Sequence, residues 1–212
     1  AILLVGQFKA WLTAEMAIPS ILKHIVRPLG GPNVDIFIHA EAMSTLVSKE
    51  ELRSMIERTV PAENLRAIVI RQAQAGALAI PAAAQDWVVK PGVFNAALLQ
   101  FYGNRELFGL VTGEERRIGS RYSHVFRMRP DSVWLQDWPS WDRLQTLVPP
   151  GSIAGPGWQD VWGPQFDTFW VASREMAWNV FFTMASVFDL PIHPDEVYAV
   201  LGCDSEKRKP SC

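Results

Sequence analysis

Arg127-Met128-Arg129-Pro130-Asp131 sets two cations and a carboxylate at the end of an apolar run, with Val125-Phe126 before it and Val133-Trp134 after it. Period-two alternation puts Arg127 and Arg129 on the same face of a strand. Two guanidinium groups in one place repel unless an anion or carboxylates lie between them. A diphosphate meets that need, because the guanidinium fork suits phosphate oxygens. An ion-pair network with Asp131 and other acids meets it as well. Asp131, on a turn after a strand, is also a hard oxygen ligand for a divalent cation, although a lone carboxylate is a minimal ligand set.

These residues need a scaffold, and the chain spells out an alternating one. Ile2 to Val5 is a short apolar run that stops at Gly6-Gln7, the pattern of a buried strand. Ala14 to Leu29 has helical spacing, and Gly30-Gly31-Pro32-Asn33 breaks it. Val34 to His39 is the next strand. Ser48 with Glu51 forms a capping box that predicts a helix to Thr59. Leu65 to Ile70 is a third strand. This β-α-β-α-β order predicts a doubly wound, mostly parallel sheet with helices on both faces. Residues 71–90 read as a loop, and a helix opens at Pro91 and continues toward Glu115. Strands are expected at Ser123 to Met128, Ser132 to Leu135 and Thr168 to Val171. Ser173 caps a helix to Phe188, and Pro194 opens a last one. No internal repeat or linker divides the 212 residues, so a single domain is expected over 1–212.

Ligands of open parallel sheets sit beyond the carboxyl ends of the strands. The residues there are Gly6, Gln7 and Lys9 after the first strand, His39 and Glu41 after the second, and Arg127, Arg129 and Asp131 after the central one. No GxGxxG, P-loop, GxSxG or HExxH pattern is present, which speaks against dehydrogenase, kinase, serine hydrolase and zinc-peptidase chemistry. Twenty Lys plus Arg against 22 Asp plus Glu gives a net charge of −2, without the basic excess of a nucleic-acid binder. No stretch is long and apolar enough for a membrane span, and no leader pattern opens the chain, which begins at Ala1 and reads as an excised domain. Cys203 and Cys212 do not make a zinc site; they are separate thiols or a terminal disulfide. Nine tryptophans, seven of them between Trp134 and Trp178, are about three times ordinary usage. Core packing accounts for such a cluster. So does a sugar-binding cleft, to which Trp162 is assigned, because C–H faces of sugars pack on indole rings.

Five segments together carry a resemblance: Val5-Gly6-Gln7-Phe8-Lys9; Val34-Asp35-Ile36-Phe37-Ile38-His39; Tyr122 to Asp131; Phe166-Asp167-Thr168-Phe169 with Ser173-Arg174-Glu175; and His193-Pro194-Asp195-Glu196. In this order they are similar to a group of glycosyltransferases of algae, protists and large algal viruses, with the pattern GQxR, DvFiH, RxRPD, DxF…SR and HPE. The similarity runs from about residue 3 to residue 201. It implies a GT-A type fold and a nucleotide-sugar donor, with Mn²⁺ or Mg²⁺ as cofactor. Residues 1–120 then form a nucleotide-binding half, and residues 121–212 a half for metal, sugar and acceptor. Asp131 matches the last carboxylate of the Asp-x-Asp metal element of GT-A enzymes, while Arg129 stands where its first aspartate would be. Lys9 replaces an arginine of the pattern, keeping its charge and losing its fork.

The function expected is transfer of a sugar from a nucleotide-diphosphate donor to a carbohydrate or glycoconjugate acceptor. Gly6, Gln7, Lys9, Arg127, Arg129, Arg174 and Trp162 would bind substrate, and Asp131 the metal. In an inverting mechanism Asp167 would take the acceptor proton. A non-catalytic carbohydrate- or nucleotide-binding domain that keeps the fold is the alternative. A sulfotransferase is disfavoured by the lack of a phosphate loop.

Overall fold

The computed structural model describes residues 1–8, 12–42, 48–72, 91–155 and 169–189. Lys9, Trp162, Asp167, His193, the helix expected from Pro194 and both cysteines lie outside the described residues, as does most of the expected 71–90 loop.

The elements alternate as the sequence predicts. Strand β1 (Ile2–Gln7) leads into a helical stretch, with α1 (Ile18–Ile21) between π-helical turns at Leu12–Ala17 and Leu22–Val26. Then come β2 (Ile36–Ala42), α2 (Lys49–Thr59), β3 (Leu65–Gln72) and the long α3 (Pro91–Ile118). The chain continues through β4 (His124–Met128), α4 (Trp141–Leu147), the two-residue β5 (Ile153–Ala154), β6 (Phe169–Ser173) and α5 (Arg174–Asp189). The Ser48 hydroxyl accepts from the Glu51 backbone N–H at 3.1 Å, and a Glu51 carboxylate oxygen accepts from the Ser48 N–H at 2.9 Å. This closes the expected capping box at the start of α2.

The six strands form one mixed sheet in the order β3-β2-β1-β4-β6-β5. Strands β1 to β4 run parallel to one another, while β6 runs antiparallel to both β4 and β5. Side chains alternate strictly across the central strand. Ile2 and Leu4 join Ile36, Ile38, Phe126 and Met128 on one face, against Ile18, Ile21 and Ile25, Leu52 and Ile56 of α2, and Leu144 of α4. Leu3 and Val5 join Phe37, Val125 and Trp170 on the other, against Leu107, Phe108 and Val111 of α3 and Ala177 and Phe181 of α5. Helices therefore cover both faces. The nearly continuous apolar sequence of β1 is what burial on both sides demands.

The strand expected at Ser132 to Leu135 does not form. Register between β4 and β6 ends at Met128 opposite Phe169. Pro130 offers no N–H to extend a ladder, and the Ser132 N–H turns back to the Arg129 carbonyl at 3.4 Å. The chain instead runs irregularly over α1, where the Trp134 N–H is received by the Ser20 hydroxyl at 2.9 Å. Four of the clustered tryptophans serve packing: Trp134, Trp138 and Trp141 lie against the first core, and Trp170 is buried in the second.

Helix α3 approaches the sheet closely at Gly103. A Cβ there would lie 2.9 Å from His39 Nδ1 and 3.1 Å from Val5 Cγ1. Gly103→Ala should cost about 1–3 kcal/mol, the range for overpacking a filled core. The cost should shrink in a His39→Ala background, and urea midpoints of the four proteins of the cycle measure both effects.

Candidate functional site at the carboxyl end of the sheet

The chain passes from β1 to β2 to β3 in one direction and then returns to place β4 on the other side of β1. Beyond the carboxyl ends of β1 and β4, at such a reversal of strand order, open α/β sheets bind ligands. Gly6, near the end of β1, has φ +138°, a conformation side-chain-bearing residues rarely adopt, and a Cβ on it would lie 3.5 Å from Pro130 Cδ. The structure thus brings the Gly6 end of β1 against the Arg129-Pro130-Asp131 turn.

The two arginines have separate environments. Arg127 is only 1% exposed and lies within β4, opposite Leu3 of β1 and Trp170 of β6. It is engaged by other groups of the chain. Arg129 lies past the strand and forks onto Asp131: Nε donates to Oδ1 at 2.9 Å and Nη2 to Oδ2 at 3.0 Å. The bidentate pair neutralises both charges just past the end of β4. An anion entering there meets a guanidinium that is already oriented, and competes with Asp131 for it. As a cation ligand, Asp131 is a single carboxylate with both oxygens facing Arg129. Mg²⁺-type ions take one or two carboxylates and complete their shell from phosphates and water. Asp131 therefore suits such an ion when a phosphate draws Arg129 away. The described residues contain no group of three or more His, Cys, Asp or Glu side chains that could hold a metal by itself.

Strand β2 adds two buried polar residues on the α3 face, His39 and Glu41. In register, His39 faces Val5 and Glu41 faces Gln7. His39 Nε2 lies 3.2 Å from Glu106 Oε2 of α3, close enough for charge interaction, although its geometry does not make it a well-formed hydrogen bond. Arg71 of β3 forks onto the same Glu106, at 3.1 Å through both Nε and Nη2. Burial holds the His39 imidazole below its ordinary range, and Glu106 only partly opposes this. Burial pushes the Glu41 carboxyl above its ordinary range, with the nearby Arg129 charge opposing. Glu41 is conspicuous in the sequence only by its place past the second strand; its burial depends on tertiary packing that the sequence does not display.

Arg174 sits elsewhere. Because β6 is antiparallel, Ser173 pairs with His124 at the amino end of β4, four residues or about 13 Å from the Met128 end. Arg174 forks onto Glu115 of α3 at 2.6 and 2.7 Å, and its guanidinium lies 4.7 Å from the centre of the Phe108 ring. Asp35 and Tyr122 belong to the same end. The Tyr122 hydroxyl donates to Asp35 at 2.5 Å, and Arg66 pairs with Asp35 at 2.7 Å. Both therefore tie the starts of strands together. A cleft of about 770 Å³ opens here between α3 and α5, lined in part by Arg116, Arg121, Arg174 and Trp178.

No known protein family matches the chain by its sequence profile, and no curated protein matches it by sequence.

Two outcomes follow from this geometry. Arg129→Ala leaves the mostly buried Asp131 carboxylate without its fork and should lower the urea midpoint. Adding Asp131→Asn should restore much of it, with a coupling of about 1–3 kcal/mol between neighbouring charges. For His39, the unfolded chain takes up a proton as pH falls below the ordinary value of 6.5, while the folded chain resists it. Stability should therefore decline below about pH 6.5, and His39→Gln should flatten that part of the pH profile of the urea midpoint.

Proposed function

We propose that the chain is a glycosyltransferase of GT-A type that uses a nucleotide-diphosphate sugar. The observation that carries the reading is the meeting of Gly6 with Arg129-Pro130-Asp131 at the reversal of strand order. There a backbone without a side chain and an oriented guanidinium come together beyond the ends of β1 and β4. The mostly parallel mixed sheet with helices on both faces agrees with the fold that the motif resemblance implies.

In this reading the nucleoside lies over β1 and β2 and the diphosphate lies against Arg129. The acceptor hydroxyl oxygen attacks the anomeric carbon, the bond from that carbon to the diphosphate oxygen breaks, and the acceptor proton passes to a base. Asp167 is the base proposed for an inverting reaction. Arg129 meets the charge that builds on the leaving diphosphate, the role of an oriented cation aimed at developing charge. Asp131, with the donor phosphates, would hold Mn²⁺ or Mg²⁺, which when bound adds charge against the same leaving group. Arg127 supports the site from within the sheet.

The pairing of Arg129 with Asp131 favours a second reading, a binding domain that holds a nucleotide sugar without turning it over. Donor hydrolysis by the purified protein separates the two, since a transferase commonly passes its sugar to water when no acceptor is present. Titration calorimetry with uridine and guanosine diphosphates tests the site itself. Arg129→Ala should weaken binding by about 1.5–3 kcal/mol, the range for hydrogen bonds to charged groups. Asp131→Ala should remove any tightening by Mn²⁺. Unchanged affinity in both variants would place the site elsewhere.

A further inference from the structure

The amino end of the sheet carries cations that the fold does not pair. Arg174 is held by Glu115, Arg66 by Asp35 and Arg117 by Glu114. Arg116, in the last turn of α3, and Arg121, just past its end, are exposed and have no ion pair among the described residues. Both line the cleft of about 770 Å³ between α3 and α5. The α5 wall supplies Trp178, a large ring that is 47% exposed. Its ring centre lies 5.5 Å from that of Phe108 and 6.0 Å from the Arg174 guanidinium, so the indole is held in place with nearly half of it open. Glu175 and Asn179 stand beside it at the helical spacing that shares a face, and Thr112 stands one turn from Arg116 on the α3 wall. The cleft shares Arg121, Arg174 and Glu175 with an adjoining hollow of about 470 Å³. His124 lines that hollow, and its Nδ1 has no partner among the described residues. Its Nε2 lies 2.7 Å from the Val148 carbonyl oxygen, which only accepts, so Nε2 carries the proton and Nδ1 of the neutral ring is left to accept.

We propose that this cleft binds an acidic oligosaccharide, with one sugar ring on Trp178 and its carboxylate or phosphate on Arg116 and Arg121. Unpaired guanidinium groups call for an anion, and their forks fit carboxylate and phosphate oxygens. An open indole offers a flat apolar surface, which the C–H face of a sugar covers. Thr112, Glu175 and Asn179 surround that surface with donors and acceptors. These suit the hydroxyls at the rim of a sugar, and a purely apolar ring would leave them unpaired. The Glu175 carboxylate accepts from hydroxyls and disfavours a ligand that is only a cluster of negative charge. The volume is that of a small-ligand cleft, and the adjoining hollow gives room for further sugar units. Ser173 and His124 mark this as the amino end of β4, opposite to Arg129 and Asp131. The site therefore goes beyond the proposed function and does not depend on it.

The test is a titration of the isotope-labelled whole chain, followed by nuclear magnetic resonance of its indole N–H groups. The probes are a galacturonate tetrasaccharide, the same tetrasaccharide methyl-esterified, a mannose tetrasaccharide carrying one phosphate, and inorganic phosphate. The Trp178 signal, assigned by its loss in Trp178→Phe, should move with the acidic saccharides. The uncharged ester should bind more weakly, and inorganic phosphate at the same concentrations should leave the signal in place. Arg121→Ala should weaken binding of the acidic saccharides about tenfold, as expected for loss of a charged hydrogen-bond donor. It should leave binding of the ester and the urea midpoint unchanged, because the side chain is exposed. A response to only one of the two acidic saccharides identifies the anion and supports the proposal. A Trp178 signal unmoved by both would overturn it. So would equal binding of the ester, which would leave the arginines without a role, or equal binding of inorganic phosphate, which would mark a bare anion site. Full affinity in Arg121→Ala, or its loss in Arg129→Ala instead, would put the saccharide elsewhere and overturn it as well. Each of these failures leaves the proposed function standing, since nucleotide binding at the carboxyl end is measured separately.

Discussion

Everything in this fold hangs on the two-sided pairing of β1. Its backbone bonds to β2 on one edge and to β4 on the other, and its side chains are buried against helices on both faces. No group along the body of the strand meets water, so its polar backbone must be satisfied by strands alone. The pairing also sets the candidate site: β2 and β4 flank β1 on opposite edges, and Gly6 of β1 meets Pro130 just past β4.

The polar residues divide by the end of the sheet at which they lie. At the amino end, Asp35, Arg66, Glu114, Glu115, Tyr122 and Arg174 are joined by short ion pairs and hydrogen bonds. These join the starts of β2 and β3 to α3, and through Arg174 join α3 to α5. At the carboxyl end, among the described residues, Asp131 and Glu106 each have an arginine fork, whereas Glu41 has one oxygen without a partner. Unmet buried atoms are not confined to that end, since His124 Nδ1 at the start of β4 also lacks a partner among the described residues.

Periodicity and punctuation made most of the scaffold readable. The apolar runs at Ile2, Ile36 and Leu65, the Ser48 capping box, the Pro91 helix start and the Ser173 cap all announce themselves in local sequence, because each follows from backbone chemistry within a few residues. The false strand at Ser132 arose because Val133-Trp134-Leu135 is apolar for a different reason. Trp134 packs over the core, whereas Leu135 is exposed. The site was legible in its ingredients but not in its pairings. Alternation placed Arg127 and Arg129 side by side, yet the strand stops between them, and Arg129 turns to Asp131. Arg174 carried a motif, but the antiparallel course of β6, which no local signal encodes, put it at the far end.

The late arrival of β4 has a consequence for how the chain comes to be folded. Ile2 pairs with Phe126, so one edge of the most apolar strand waits for a partner made more than a hundred residues later. At ribosomal rates of roughly 5–20 residues per second that edge stays open for some 6–25 s, far longer than hairpins or helices need to form. An unpaired apolar edge is a template for other chains. Newly made protein should thus depend on chaperones during synthesis far more than the finished domain does, and a high contact order should slow its refolding from denaturant.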